Sequence, residues 1–355
     1  KSMPPEDGVL LLTGDEIVEL FQGREQEILN AVESAIVAHA RGDTSLPHSL
    51  FLRFPGNEKN RIIALPAYLG GEFGVAGMKW IASFPDNLAR NLERASATLL
   101  LNCAETGRLT AILEGSVISS YRTAANGALA ARYLRNGEPA AGQGSGVRDR
   151  EAGVVGCGLI NFQTVRFLAK AMPELKTLLL LDVVPERASA FERKCRALLP
   201  EIDARVEKSR EEVLRRSDIV ALATTEIRPH IEDLSMCREN ALVLHTSLRD
   251  LTAEAILAAD NIVDDVDHCC RARTSVHLAE QRSGGRDFIR GTLGDVILGR
   301  AAPKPKGAVT VFSPFGMGIL DVALGSLACK LARERGKGTE IDSFAPSHWL
   351  DRRES

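Results

Sequence analysis

Residues 153–168 read Gly-Val-Val-Gly-Cys-Gly-Leu-Ile-Asn-Phe-Gln-Thr-Val-Arg-Phe-Leu, and the apolar run Thr177–Leu181 then ends on Asp182. The pattern is a strand, a glycine turn, an amphipathic helix, a second strand and an acid at its tip. That is one βαβ unit of the Rossmann type, shaped for a dinucleotide. Gly156 suits the tight turn out of the first strand. Gly158 lets the backbone approach a pyrophosphate at a positive helix N-terminus, with Leu159 and Ile160 opening that helix. The third position of the fingerprint, usually Gly or Ala, is Asn161, so the helix–strand packing there is expected to differ. Asp182 lies about 20 residues further on, where a carboxylate accepts from ribose hydroxyls and repels a 2′-phosphate. The expected cofactor is therefore NAD rather than NADP, although Arg187 nearby pulls the other way.

At 355 residues the chain exceeds one ordinary core, so two domains are expected. The 45% apolar and 26% charged residues are those of a globular enzyme. A net charge of −3 without a Lys/Arg cluster argues against nucleic acid. No apolar run is long enough to span a membrane, and no leader pattern opens the chain. Seven cysteines without framework spacing point to unpaired thiols and a cytoplasmic location.

Thr13-Gly-Asp-Glu16 is a capping box that predicts a helix through Leu20. A second helix should carry Ile28, Val32 and Ile36 on one face and stop at Gly42. Short apolar runs at Ser49–Phe54, Arg61–Pro66, Val75–Ile81, Ala97–Asn102 and Leu109–Leu113 predict strands, the last two joined by a turn at Glu105-Thr-Gly107. Tyr121–Leu134 returns to helical spacing, and the four glycines of residues 137–150 mark a linker. Strands are then expected at Gly153–Gly156, Thr177–Asp182, Ile219–Ala223, Ala241–His245, Asn261–Val263 and Val309–Ser313, and a last helix at Ile319–Arg333. The fold class is α/β. A Rossmann NAD-binding domain (151–318) joins an α+β substrate-binding and dimerisation domain formed by residues 3–136 and completed by 319–355. The N-terminal sheet has too little helical cover for both faces, so a homodimer through that domain is expected.

Gly77-Met-Lys79-Trp, Pro85-Asp-Asn87, Tyr121-Arg122-Thr-Ala-Ala125 and the Gly156 turn occur in one order along the chain. In that order the chain resembles the ornithine cyclodeaminase/mu-crystallin family over nearly its whole length. Met78–Asn87, Glu93–Ala97, Gly156–Asn161, His245–Leu251 and Ser313–Gly318 look like one branch of it. That branch cleaves N-(2-amino-2-carboxyethyl)-L-glutamate to 2,3-diaminopropionate, a precursor of siderophores and peptide antibiotics. The resemblance implies that Arg53, Lys79 and Arg122 bind substrate carboxylate. Arg94 stands where the family's pocket has a threonine, which adds a cation. Cyclodeaminases carry an Asp in the loop after the fourth Rossmann strand; here Ser247 falls about at that place, which argues against ring closure.

The implied substrate is a secondary amine with three carboxylates, and arginines grip carboxylates bidentately. Solvated surface charge is the competing reading of each cation. Lys79 is a candidate proton acceptor if neighbouring cations lower its basicity, and Asp321 is the alternative. Asp321 also reads as a helix N-terminal acid. Thr224, Thr225, His245 and Ser247 end Rossmann strands and are assigned to the cofactor edge, with burial as the plainer reading of His245. Asp264-Asp-Val-Asp-His-Cys-Cys270 fits no standard zinc spacing, so no metal is expected. Ornithine cyclodeamination, alanine or cyclic-imine reduction, and non-catalytic ligand binding of the mu-crystallin kind stay open as alternatives.

Overall fold

The structure, a computed structural model, describes residues 8–136 and 151–345, so the expected linker at 137–150 lies outside the described residues. After β1 (Val9–Leu12), the Thr13 hydroxyl accepts from the Glu16 amide and the Glu16 carboxylate accepts from the Thr13 amide, which starts α1 (Gly14–Phe21). Helix α2 (Glu25–Ala40) buries Ile28, Val32 and Ile36 as the spacing requires. There follow β2 (Thr44–Ser45), β3 (Leu50–Phe54), β4 (Asn57–Leu69), β5 (Val75–Ser83), β6 (Ala95–Cys103) and β7 (Leu109–Glu114). Helix α3 (Gly115–Asn136) starts where the Glu114 carboxylate accepts from the amides of Ser116 and Val117 at 2.8 and 2.9 Å.

The second half runs β8 (Glu151–Val155), α4 (Leu159–Ala171), β9 (Thr177–Leu181), α5 (Pro185–Leu198), β10 (Asp203–Val206), α6 (Arg210–Arg216) and β11 (Ile219–Leu222). It continues with β12 (Leu242–His245), α7 (Ala253–Leu257), β13 (Asp260–Val263), α8 (Val266–Cys269), α9 (Ser275–Ser283), β14 (Ile289–Thr292), α10 (Leu293–Ile297) and β15 (Thr310–Ser313). Helix α11 (Gly318–Arg335) and β16 (Thr339–Ile341) close the described chain.

The chain divides into two compact units, residues 1–24, 41–119 and 318–355, and residues 25–40 and 120–317. This boundary differs from the expected one in two places. Helix α2 and all but the first turn of α3 belong to the unit of the Rossmann sheet, where α2 packs against α4 and α10. The final helix does return to the N-terminal sheet.

The first unit is a mostly antiparallel sheet in the order β16-β1-β7-β6-β5-β4-β2, with β3 also paired to β4. Helix α11 covers one face: a Cβ on Gly77 of β5 would stand 3.0 Å from Val322 of α11. Among the described residues the other face carries exposed apolar side chains. Trp80 stands opposite Ala64, and Ala64 opposite Leu50, while Leu52 stands opposite Ile62. Side chains at one register share a face, and Leu50 and Trp80 are 70% and 40% exposed.

The second unit is an all-parallel sheet in the order β10-β9-β8-β11-β12-β15-β13-β14. Its central strands are buried on both faces, with Leu179, Val220, Val243 and Val311 fully covered on one and Leu180, Leu244 and Phe312 on the other, as crossover helices require. The order reverses between β8 and β11, the place where open α/β sheets bind ligands. Strands β1, β2, β10, β14 and β16 were not expected. All are four residues or shorter, and all but β1 lie at sheet edges, where a strand needs no apolar run.

Candidate functional site

In the second unit the glycine turn follows β8. Gly156 has φ +91°, and a Cβ there would stand 2.5 Å from the Ala223 carbonyl oxygen, so both backbone and space demand glycine. Gly158 is the N-cap of α4, has no side-chain capping bond, and has open space where a Cβ would be. The first amides of α4 therefore face an open approach, which is an anion site with a favourable dipole. Asn161 takes the place of the usual small residue and ties the turn down. Its fully buried amide donates to the carbonyls of Val155, Gly156 and Ala221 at 2.8–3.2 Å.

Asp182 follows β9, its Oδ2 accepting from the Cys157 amide at 2.8 Å and its Oδ1 from the Val184 amide at 2.9 Å. The carboxylate is thus fixed beside the turn with lone pairs to spare for ribose hydroxyls. Leu159, Val183 and Ile227, after the adjacent strands β8, β9 and β11, are 59%, 97% and 76% exposed. Three bare apolar side chains around such a turn suit the two faces of an adenine ring. Val183 and Ile227 were not singled out in the sequence, because an isolated aliphatic residue in a loop carries no pattern. Ile160 is partly exposed on the first turn of α4, and Thr225 is exposed after β11.

Further along this edge is a buried polar cluster. Asp250 is fully buried in the loop after β12 and accepts from Thr224 Oγ1 at 2.5 Å and from the Ser247 hydroxyl. Burial pushes its carboxyl up, but the contacts with His245, Ser247 and Thr224 outweigh that and hold it below the ordinary aspartate value. The Asp250 amide lies 3.2 Å from His245 Nε2, and His245 Nδ1 faces Ser313 Oγ at 3.1 Å. Burial lowers the basicity of His245, against the opposing pull of Asp250. His245 is fully enclosed, the plainer of its two readings, which corrects its assignment to the cofactor edge. The loop does carry an acid, three residues beyond Ser247, so the sequence argument from a missing carboxylate loses its force.

Asp264, after β13, accepts from the amides of Phe315 and Gly316 at 2.9 and 2.7 Å. Asp265 is held by His268 Nδ1 at 2.8 Å and His39 Nε2 at 3.2 Å. The acidic run thus shapes the Ser313–Gly318 loop, and among the described residues no three His, Cys, Asp or Glu side chains converge to hold a metal. Within that loop Gly316 has φ +98°, and a Cβ there would stand 2.7 Å from Nη1 of Arg122. Arg122, on α3, is buried against this glycine.

In the first unit Lys79 and Asp321 meet. Lys79 points to the same face of β5 as Gly77, toward the first turn of α11, and its Nζ lies 2.8 and 3.0 Å from the two oxygens of Asp321. Ser119 Oγ, delivered by the capped start of α3, is 3.0 Å from the same nitrogen. The pair is 2% and 0% exposed. This corrects the reading of Lys79 as a base loosened by neighbouring cations, because its nearest charge is a carboxylate that favours the ammonium. Arg53 is exposed on β3, with its guanidinium 5.7 Å from the Phe51 ring centre. Arg94 is half-exposed just ahead of β6, its carbonyl accepting from the Phe84 amide.

The model of the Ornithine cyclodeaminase/mu-crystallin family matches residues 11–338. The chain belongs to this family. It is 27% identical to N-((2S)-2-amino-2-carboxyethyl)-L-glutamate dehydrogenase of Staphylococcus aureus over 95% of the chain and 99% of that protein. It is 28% identical to alanine dehydrogenase of Archaeoglobus fulgidus over 94% of the chain and 98% of that protein. Among solved structures, an archaeal alanine dehydrogenase dimer with bound NAD superposes with a TM-score of 0.82 at 27% identity, covering 95% of this chain and all of that one. The Thermococcus litoralis Delta(1)-pyrroline-2-carboxylate reductase, in complex with NADH and L-proline, superposes with a TM-score of 0.84 at 22% identity and shares the fold, over 94% of this chain and all of that one. The fold of this chain is thus shared by an alanine dehydrogenase and a cyclic-imine reductase.

Proposed function

We propose that this protein is an NAD-dependent dehydrogenase that oxidises the secondary amine of N-(2-amino-2-carboxyethyl)-L-glutamate, releasing 2-oxoglutarate and 2,3-diaminopropionate. The observation that carries this reading is the cation set. Besides Lys79, which pairs with Asp321, the exposed Arg53, the half-exposed Arg94 and the buried Arg122 offer more positive charge than a monocarboxylate such as alanine would match. NAD, when bound, supplies the acceptor for the hydride that leaves glutamate Cα. Arg122 orients a carboxylate, and Gly316 leaves its guanidinium room. Asp321 is the group that can take the amine proton, since the paired Lys79 ammonium has no lone pair. Lys79 holds that carboxylate in place, its ammonium donating also to Ser119 Oγ. The imine then adds water and parts into the two products.

Given the conjugate and NAD, the protein should form NADH and 2-oxoglutarate in equal amounts, read at the NADH absorbance band and by coupled assay. Conversion of ornithine to proline without net NADH would overturn the reading, as would turnover of alanine but not the conjugate. Asp182 fixes the cofactor: NAD should be preferred over NADP, and Asp182→Ala should narrow the ratio of their kcat/KM values about tenfold, the like-charge penalty with a 2′-phosphate being on the order of 1 kcal/mol. Equal use of both cofactors by the unmutated protein contradicts this role.

The exposed apolar face of the first unit is read as the contact of a homodimer. Light scattering at micromolar concentration should give twice the chain mass, and Trp80→Glu combined with Leu52→Glu should give the monomer. Seven unpaired cysteines suit the reducing cytoplasm as its place of work.

A further inference from the structure

The loop after β12 carries a cation that the reaction above leaves unused. Arg249 is half-buried, and its Nη2 donates to the carbonyl of Ala272 at 2.9 Å. Burial pulls its guanidinium below the ordinary arginine range, with no acid offsetting it. Its neighbour Asp250 is turned to Thr224 and Ser247. Arg271 and Arg273, both exposed, add two more positive charges, and among the described residues none of the three arginines forms an ion pair.

The backbone around this group is strained. Leu248 has φ +65°, and the consecutive residues Ala272 and Arg273 each have φ +55°. Side-chain-bearing residues in this region cost on the order of 1–3 kcal/mol each and collect at ligand clamps. The Ser275 amide donates to the Leu248 carbonyl at 2.8 Å, which straps the two loops together. Both loops lie at the carboxyl edge of the parallel sheet, the edge that also carries the Gly156 turn, Thr224 and the Gly316 loop against Arg122.

We propose that Arg249, held by this strap, is a specificity residue that receives a substrate carboxylate other than the one beside the reacting carbon. The inference rests on the tricarboxylate reading above and names the partner of one distal carboxylate. Arginine suits the task. One nitrogen is anchored on Ala272, and the remaining donors of the planar fork stay in position for a bidentate grip. A carboxylate there offsets the desolvation that the guanidinium meets alone.

The test uses the dimeric or monomeric full chain saturated with NADH, and follows cofactor fluorescence on titration with glutarate or with acetate. In the unmutated protein glutarate should bind well above acetate. Arg249→Gln should lower glutarate affinity about 10- to 100-fold, the worth of a charged hydrogen bond, and collapse the glutarate-to-acetate ratio. Arg249→Lys should recover part of it. A merely structural arginine would weaken NADH binding and thermal stability while leaving that ratio intact, and this result overturns the proposal. Ala272→Gly relieves the strain but keeps the anchoring carbonyl, so the ratio should survive; its loss in that variant would place the effect in the strap rather than in the guanidinium. Turnover is not needed for this readout. If the conjugate is not oxidised yet glutarate binding depends on Arg249, the proposed reaction falls and the subsite stands. If the conjugate turns over and Arg249→Gln leaves both its KM and glutarate affinity unchanged, the subsite falls alone.

Discussion

Replacing Lys79 by methionine should destabilise the protein by about 3–5 kcal/mol, the cost of leaving one partner of a buried ion pair without its counter-charge. Asp321 has no exposure, so water cannot take over from the ammonium. Its remaining recourse is to bind a proton, which also removes the lone pair proposed to take the amine proton. Turnover should therefore fall by at least about 10²-fold in the same variant. Urea denaturation separates the two effects. The double variant Lys79→Met with Asp321→Leu should regain most of the stability, since well-packed apolar residues replace buried ion pairs at little cost, while activity stays lost. A single variant that keeps its midpoint of unfolding would mean that the carboxylate reaches solvent. A double variant that recovers activity would remove both residues from the chemistry.

Arg122→Ala should lower kcat/KM for the conjugate by about 10²-fold or more, a few kcal/mol for a charged contact to carboxylate. Arg122 is buried, so the loss of its aliphatic stem will also cost some stability. Gly316→Ala gives a second route to the same outcome without touching the charge. At φ +98° an alanine is strained, and its Cβ would displace the Arg122 guanidinium from 2.7 Å away. Activity should fall with the arginine still present. Unchanged kcat/KM in both variants would show that Arg122 is a structural cation and that the carboxylate is received elsewhere.

The two variants also show why the sites were unevenly legible. Arg122 could be singled out because Tyr121–Ala125 is a short motif. Nothing in the order of residues says that Gly316 must be bare to make room for it. The same contrast holds for Asp250: His245–Leu251 was recognised as a motif, but its acid was passed over in favour of Ser247. Only the fold of the loop reveals that the Ser247 hydroxyl serves the Asp250 carboxylate.

What the sequence determined by itself is local. The Thr13–Glu16 capping box, the short apolar runs of the central strands, the Gly156–Gly158 turn and the acid at the tip of β9 involve neighbours a few residues apart, or one βαβ unit. Their preferences are set by backbone dihedrals, capping bonds and side-chain period, which survive without knowledge of the rest of the chain. What only the tertiary structure decided is pairing across long separations. Lys79 and Asp321 are 242 positions apart, and each read alone is an ordinary charged residue of a strand or a helix start. Glu25–Ala40 carries the same apolar period whichever core it joins, and it joins the unit of the parallel sheet. An apolar stripe states that a face must be buried, and a charge states that it needs a partner. Neither names the surface or the residue that meets the need, because burial and Coulomb attraction act through space rather than along the chain.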